Sequence, residues 1–138
     1  MLGYKFVCMT AELLLDEPVV QEKKIEHQCA TDHHERLLAI NDAMDVLSGK
    51  WKIQLIGLLL FGGKMRFGKL LRNINGIGAK MLSKELRNLE ANQIITRTVL
   101  QTKPITVEYE ITQYGRSLET LIIHFCEWGM NHRKKIMG

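Results

Sequence analysis

Three cysteines in 138 residues, Cys8, Cys29 and Cys126, make no paired disulfide framework and fit a reducing cytosol. No apolar run approaches the ~20 residues of a membrane span. The longest, LIGLLLF from Leu55 to Phe61, predicts a buried helix instead. The opening stretch MLGYKFVCMTAELLLDEP carries one lysine and soon meets Glu12 and Asp16, which makes a poor signal peptide. A cytoplasmic location with no membrane partner is therefore expected. There is no internal repeat and no low-complexity tract. No nucleophile–base–orienter set, phosphate loop or carboxylate pair stands at usable spacing, so neither an enzyme nor a cofactor is predicted.

With 46% hydrophobic and 25% charged residues, the chain is ordinary globular material of one-domain size. Its charge is unevenly placed. Residues 1–63 hold six Lys/Arg against nine Asp/Glu, and residues 104–138 hold four of each. Between them, residues 64–103 carry nine cations against only Glu85 and Glu90. Less than a third of the chain thus holds more than the whole net charge of +4. Such a concentrated basic segment is the footprint of a polyanionic partner.

Within that segment, IGAKMLSKELRNLE (residues 77–90) sets Leu82, Leu86 and Leu89 on one side of a helix. At about 100° per residue, Lys80, Lys84 and Arg87 fall roughly opposite. A solvated surface explains most such faces, but here the neighbours matter. A short helix from Phe67 to Ile74 precedes it, with Lys69 and Arg72 outward and Asn75-Gly76 as the turn. After Asn92 the period becomes two: Ile105, Val107, Tyr109 and Ile111 alternate with Thr106, Glu108, Glu110 and Thr112. Ile94 to Leu100 pairs with it as a hairpin whose tip is Gln101 to Pro104. A hairpin directly after a helix-turn-helix is a winged helix, so the expected fold is mostly α with a small β-hairpin wing.

Elsewhere, a helix is expected from Asp32, an N-cap with Glu35 three residues on, burying Leu37, Ile40, Met44 and Leu47. A second, apolar nearly all round, runs from Lys50 to about Phe61. Residues 1–30 are read as an N-terminal arm, flexible or partly helical, and 31–138 as the winged domain. Its last helix, about 113–134, carries Tyr114, Leu118, Leu121, Ile122, Phe125 and Trp128. That stripe is too long and aromatic for one small core, so its expected destination is the same helix of a second subunit, giving a homodimer.

Together, Gly49-Lys50-Trp51, Arg66-Phe67-Gly68, Gly76-Ile77 with Lys80 and Leu82, Leu86-Arg87-Asn88-Leu89-Glu90, and Val107-Glu108-Tyr109 with Thr112 and Gly115 resemble the HxlR-type transcriptional regulators. These are a branch of the MarR-like winged-helix proteins, and the resemblance covers roughly residues 38 to 132. It implies a dimeric DNA-binding regulator of transcription that responds to electrophiles, oxidants or another small-molecule effector. The sequence departs from the family at three places. Leu38 stands where members commonly carry a cysteine, Thr106 replaces the usual wing arginine, and Gln93 takes a common glycine C-cap position. Asn92 is the expected left-handed residue there.

On this reading Lys80, Ser83, Lys84, Arg87 and Asn88 enter the major groove of double-stranded DNA. Arg87 is the candidate for guanine. Gly78 and Ala79 allow close approach, and the helix's first amides favour an anion. Arg97, Thr102 and Lys103 form the wing's contacts, and Lys64, Arg66, Lys69 and Arg72 flank the groove along the DNA backbone. Cys29 and Cys126 are possible sensors, though Cys126 reads first as a packed small hydrophobe. Trp51 and Met44 are core residues or, alternatively, line an effector pocket. Two other functions compete: a winged helix whose basic face binds a protein, and a metal or redox sensor on His27, Cys29, His33 and His34. The histidine spacing matches no closed zinc site, so no metal is expected.

Overall fold

The computed structural model describes the backbone of residues 22–138 and the side chains of residues 32–138. The chain divides into two units, Met1–Asn41 and Asp42–Gly138. Readings that concern residues 1–21, or the side chains of His27 and Cys29, lie outside the described residues.

The first helix among the described residues, α1, spans Glu22–Leu47, so Asp32 does not begin it. Asp32 instead lies mid-helix, paired with Arg36 one turn on at 2.6 Å, and Arg36 Nε donates to it at 3.1 Å. An i,i+4 ion pair has taken the carboxylate expected to cap a helix end. The apolar stripe of α1 also departs from expectation. Leu47 is buried, but Leu37, Ile40 and Met44 are all more than half exposed.

Helix α2, Lys52–Gly62, is the central element and buries Leu55, Ile56 and Leu59. Its apolar girdle is incomplete, because Phe61 is exposed. A two-residue strand β1 (Met65–Arg66) follows, then helix α3 (Phe67–Asn73) and helix α4 (Ala79–Ala91). Strands β2 (Ile95–Leu100) and β3 (Thr106–Ile111) form the hairpin, with Ile95 opposite Ile111 and Leu100 opposite Thr106. The sheet has three antiparallel strands in the order β1-β3-β2. The extra strand β1 pairs Met65 with Tyr109 and Arg66 with Glu108. Two residues are too few to show a period, which is why the sequence suggests only the hairpin.

Leu82, Leu86 and Leu89 of α4 join Leu55, Leu59, Leu70, Ile95, Tyr109 and Ile111 in a single core. Gly76 makes the turn between α3 and α4 at φ +88°, and a Cβ there would lie 3.6 Å from Trp51 Cη2. The left-handed conformation is what favours glycine there, since a Cβ at that distance would make ordinary contact with the indole.

The end of α4 differs from expectation. Asn92 has φ −84°, while Gln93 takes the left-handed conformation at φ 60°. The Ile94 amide donates to the Leu89 carbonyl at 3.0 Å, and the Gln93 amide to Glu90 at 2.9 Å. These two bonds form a Schellman motif, closed by the buried pair Leu89 and Ile94. The motif needs its positive φ one residue past Asn92, so glutamine adopts it. Thr112 then ties this corner to the last helix. Its amide donates to the Ile94 carbonyl at 3.0 Å. Its hydroxyl proton can serve the Gln93 carbonyl at 2.6 Å or that of Ile94 at 3.0 Å, and its oxygen accepts the Gly115 amide at 2.9 Å.

The last helix does not start near residue 113. A 3-10 turn, Gly115–Leu118, leads into helix α5, Glu119–Met137. Its stripe splits in two. Ile122 is only 2% exposed and sits in the domain core, with Leu118 packed beside it, so Ile122 is not available to a second subunit. Leu121, Phe125 and Trp128 are 49%, 55% and 65% exposed.

Candidate nucleic-acid interface

Helix α4 carries its two faces as the leucine spacing requires. The three leucines are buried, whereas Lys80, Lys84 and Arg87 are exposed and Ser83 and Asn88 half-buried. Gly78 precedes α4 in an extended conformation and offers no side-chain cap. A Cβ on Gly78 would meet nothing within 4 Å. The first amides of α4 therefore stand at an open end carrying the positive end of the helix dipole.

The rotation of α4 is held by a pair of residues the sequence reading missed. Lys52 Nζ on α2 lies 3.8 Å from Glu85 Oε2, with side chains 13% and 12% exposed. That oxygen is buried without a hydrogen-bond partner, so the ammonium is its compensation. Glu85 immediately precedes the buried Leu86 and lies three residues after Leu82. That flanking position was the available signal for a partly buried carboxylate.

Beside α4 stands the wing. Arg97 projects from β2 opposite Tyr109, and a cleft of about 330 Å³ is lined by Ser83, Leu86, Arg87, Glu90, Arg97 and Tyr109. At the wing tip Lys103 is exposed. The Thr102 hydroxyl lies 2.9 Å from both the Pro104 carbonyl and the Thr106 hydroxyl. Thr106, in place of the family's arginine, thus helps to shape the tip.

Apart from that cleft, Lys64, Arg66, Lys69 and Arg72 line one groove of about 650 Å³ with Phe67, Val107 and Glu108. Two of these four are paired: Lys64 with Glu110 at 3.5 Å, and Arg66 with Glu108 at 3.9 Å. Among the described residues, Lys69, Arg72, Lys80, Lys84, Arg87, Arg97 and Lys103 form no ion pair.

Trp51 packs against the core, its ring 4.5 Å beneath the Lys50 ammonium, and Met44 is exposed. A small apolar cavity of about 280 Å³ does exist, but Val46, Ile94, Tyr114, Leu118 and Leu121 line it, and neither Trp51 nor Met44 does. Cys126 is exposed, which corrects its reading as a packed hydrophobe within the protomer. His33 and His34 are exposed, and among the described residues no group of three His, Cys, Asp or Glu is placed to hold a metal ion. Among those residues, too, no helix is long and apolar enough to cross a membrane.

The model of the HxlR-like helix-turn-helix family matches residues 46–137. The HTH-type transcriptional regulator YtcD of Bacillus subtilis is 40% identical over 101 residues, which is 73% of this chain and 79% of that protein. A crystal structure of ytcD superposes with a TM-score of 0.66 at 40% identity, covering 69% of this chain and 96% of that one. The redox regulator HypR in its reduced form gives a TM-score of 0.67 at 36% identity, covering 72% and 97%. The matched span contains the turn, the two-faced α4, the wing and the last helix described above: the chain belongs to the HxlR-like helix-turn-helix family of transcriptional regulators.

Proposed function

We propose that the protein is a homodimeric, sequence-specific regulator that inserts α4 into the major groove of double-stranded DNA in the cytoplasm. The observation that carries this reading is the division of α4 itself. Its leucines are consumed by the core, and its unpaired cations are exposed beside the wing. Lys80, Ser83, Lys84, Arg87 and Asn88 contact the groove, Arg97, Thr102 and Lys103 the flanking backbone or minor groove, and Lys64, Arg66, Lys69 and Arg72 the phosphates alongside. Lys64 and Arg66 must exchange a carboxylate for a phosphate to do so.

Dimerisation uses the exposed part of the α5 stripe, Leu121, Phe125 and Trp128, and sets two half-sites about 34 Å apart. Binding responds to an oxidant or a small molecule; the naming of HypR as a redox regulator supports this choice. The exposed Cys126 thiol is the candidate sensor among the described residues.

The test is selection of bound sequences from random duplex DNA, with and without oxidant, followed by salt titration on the selected site. Two half-sites about one helical turn apart are expected. Affinity should fall about 10³–10⁵-fold between 50 and 200 mM salt for six to ten phosphate contacts. No enrichment over random duplex overturns the reading.

A further inference from the structure

The geometry points to a single phosphodiester-binding cleft between α4 and the wing, gripped jointly by Arg87 and Arg97, with Arg87 serving the backbone and not guanine. This rests on the DNA-binding reading above and specifies its chemistry at one place.

Three observations carry it. First, two guanidinium side chains from different elements, one on α4 and one on β2, line the same small cleft of about 330 Å³. Neither has a carboxylate within ion-pair distance among the described residues. Glu90 lines the same cleft yet pairs with neither. Two unpaired guanidinium groups on one concave site leave it net positive even with Glu90 counted, and a guanidinium fits a phosphate through two parallel hydrogen bonds.

Second, Arg87 does not stand at the leading end of the helix. It lies eight residues after Ala79, where α4 begins, about 12 Å along the axis. The residues that reach base edges in this motif belong to the first turns, which here present Lys80 and Ser83. Third, Arg87 Nε donates to the Ser83 carbonyl of its own helix at 3.3 Å. The guanidinium is thereby laid along the flank of α4, leaving its two terminal nitrogens for a ligand.

Glu90 then has a defined role. Its carboxylate on the rim repels the same phosphate, so it moderates the grip and keeps non-specific binding down. The cleft's ligand is one phosphodiester per protomer, shared by two arginines.

The test is a salt titration of duplex affinity for the full chain and for Arg87→Ala, Arg97→Ala, the double variant and Lys84→Ala, repeated on duplexes carrying single methylphosphonates. All the substituted residues are surface side chains, and Arg87→Lys and Arg97→Lys serve as milder versions. Each single arginine variant should lose about tenfold in affinity on selected and random duplex alike. Its salt slope should change little, because the remaining arginine still neutralises the phosphate. The double variant should lower the slope by about 0.9 per protomer, because only one phosphate is involved. Lys84→Ala, on a separate phosphate, should lower the slope further when added.

One methylphosphonate position should abolish the cost of both arginine substitutions, and Glu90→Gln should tighten binding only when both arginines are present. Slopes that fall by about 1.8 per protomer in the double variant overturn the shared site. So does an altered base preference in the DNA selected by Arg87→Ala. Failure of the unaltered protein to bind any duplex removes the DNA-binding reading itself. Binding with additive arginine effects removes the cleft alone.

Discussion

Lys52 on α2 and Glu85 on α4 face each other at 3.8 Å across the seam between the two helices, both nearly out of solvent. Facing outward, a carboxylate on α4 would repel the phosphates of the proposed DNA ligand. Turned inward, it meets the one ammonium that can neutralise it and pins the helix about its own axis. Because Glu85 Oε2 has no hydrogen-bond donor, the pair depends on charge alone. Removing Lys52 as Lys52→Met should therefore cost about 2–4 kcal/mol by stranding the carboxylate. Replacing both residues with apolar ones, Lys52→Met with Glu85→Leu, should be close to neutral. Urea unfolding midpoints compare the two; a single variant as stable as the double one would show the pair to be idle.

Gln93 occupies the left-handed position of the Schellman motif at φ 60°, a conformation that costs a side chain and not glycine. Gln93→Gly should raise stability by about 0.5–1 kcal/mol, after allowance for the extra freedom glycine gains when unfolded. Thermal unfolding should show a higher Tm with DNA affinity retained. A lower Tm would mean the Gln93 side chain contributes something its exposure hides.

Thr112 and Gly115 form the joint between α4 and the last helix. A Cβ on Gly115 would strike the Ile94 carbonyl, a backbone atom that cannot step aside. Gly115→Ala should destabilise by about 1–3 kcal/mol. Thr112→Val, which keeps the shape but loses the hydroxyl's bonds to the Gln93 or Ile94 carbonyl and from the Gly115 amide, should cost about 1–2 kcal/mol. Thr112→Ser should retain most of that, and denaturation curves for the three variants distinguish hydroxyl from methyl.

The split stripe of α5 predicts two different failures. Ile122→Ala opens a cavity in the domain core and should cost about 2–5 kcal/mol of fold stability. Phe125→Asp and Trp128→Asp sit on the exposed side and should leave the protomer folded while abolishing the proposed dimer. Sedimentation velocity and far-ultraviolet circular dichroism on the same samples separate the outcomes. Dimers that survive Phe125→Asp would place the subunit contact elsewhere.

Much of the fold was legible because it rests on long periodic segments. The leucines of α4 repeat at helical spacing, and β3 alternates cleanly from Thr106 to Ile111, so the helix, the hairpin and their order could be read directly. The misses share a cause. Asp32 is a good cap by type, but its carboxylate is equally suited to Arg36 one turn on, and local chemistry cannot choose between them. The strand β1 has two residues and no period. Asn92 is the better left-handed residue by propensity, yet the hydrogen-bond count of the motif puts the positive φ on Gln93. Ile122 and Phe125 are both apolar on one helix, and only the packing of that helix on the core decides that Ile122 turns inward and Phe125 outward.

Period and charge density along the chain determined that α4 has a buried and a cationic face, that a hairpin follows it, and that the basic residues gather in one segment; these are properties of neighbours in sequence. The tertiary structure alone decided that Glu85 turns inward to Lys52, that Arg87 and Arg97 share one cleft, and that Lys64 and Arg66 meet the carboxylates of β3. Each of those relationships joins residues on different elements. Their distances follow from how α2, α4 and the sheet pack around the common core, and no spacing along the chain encodes them.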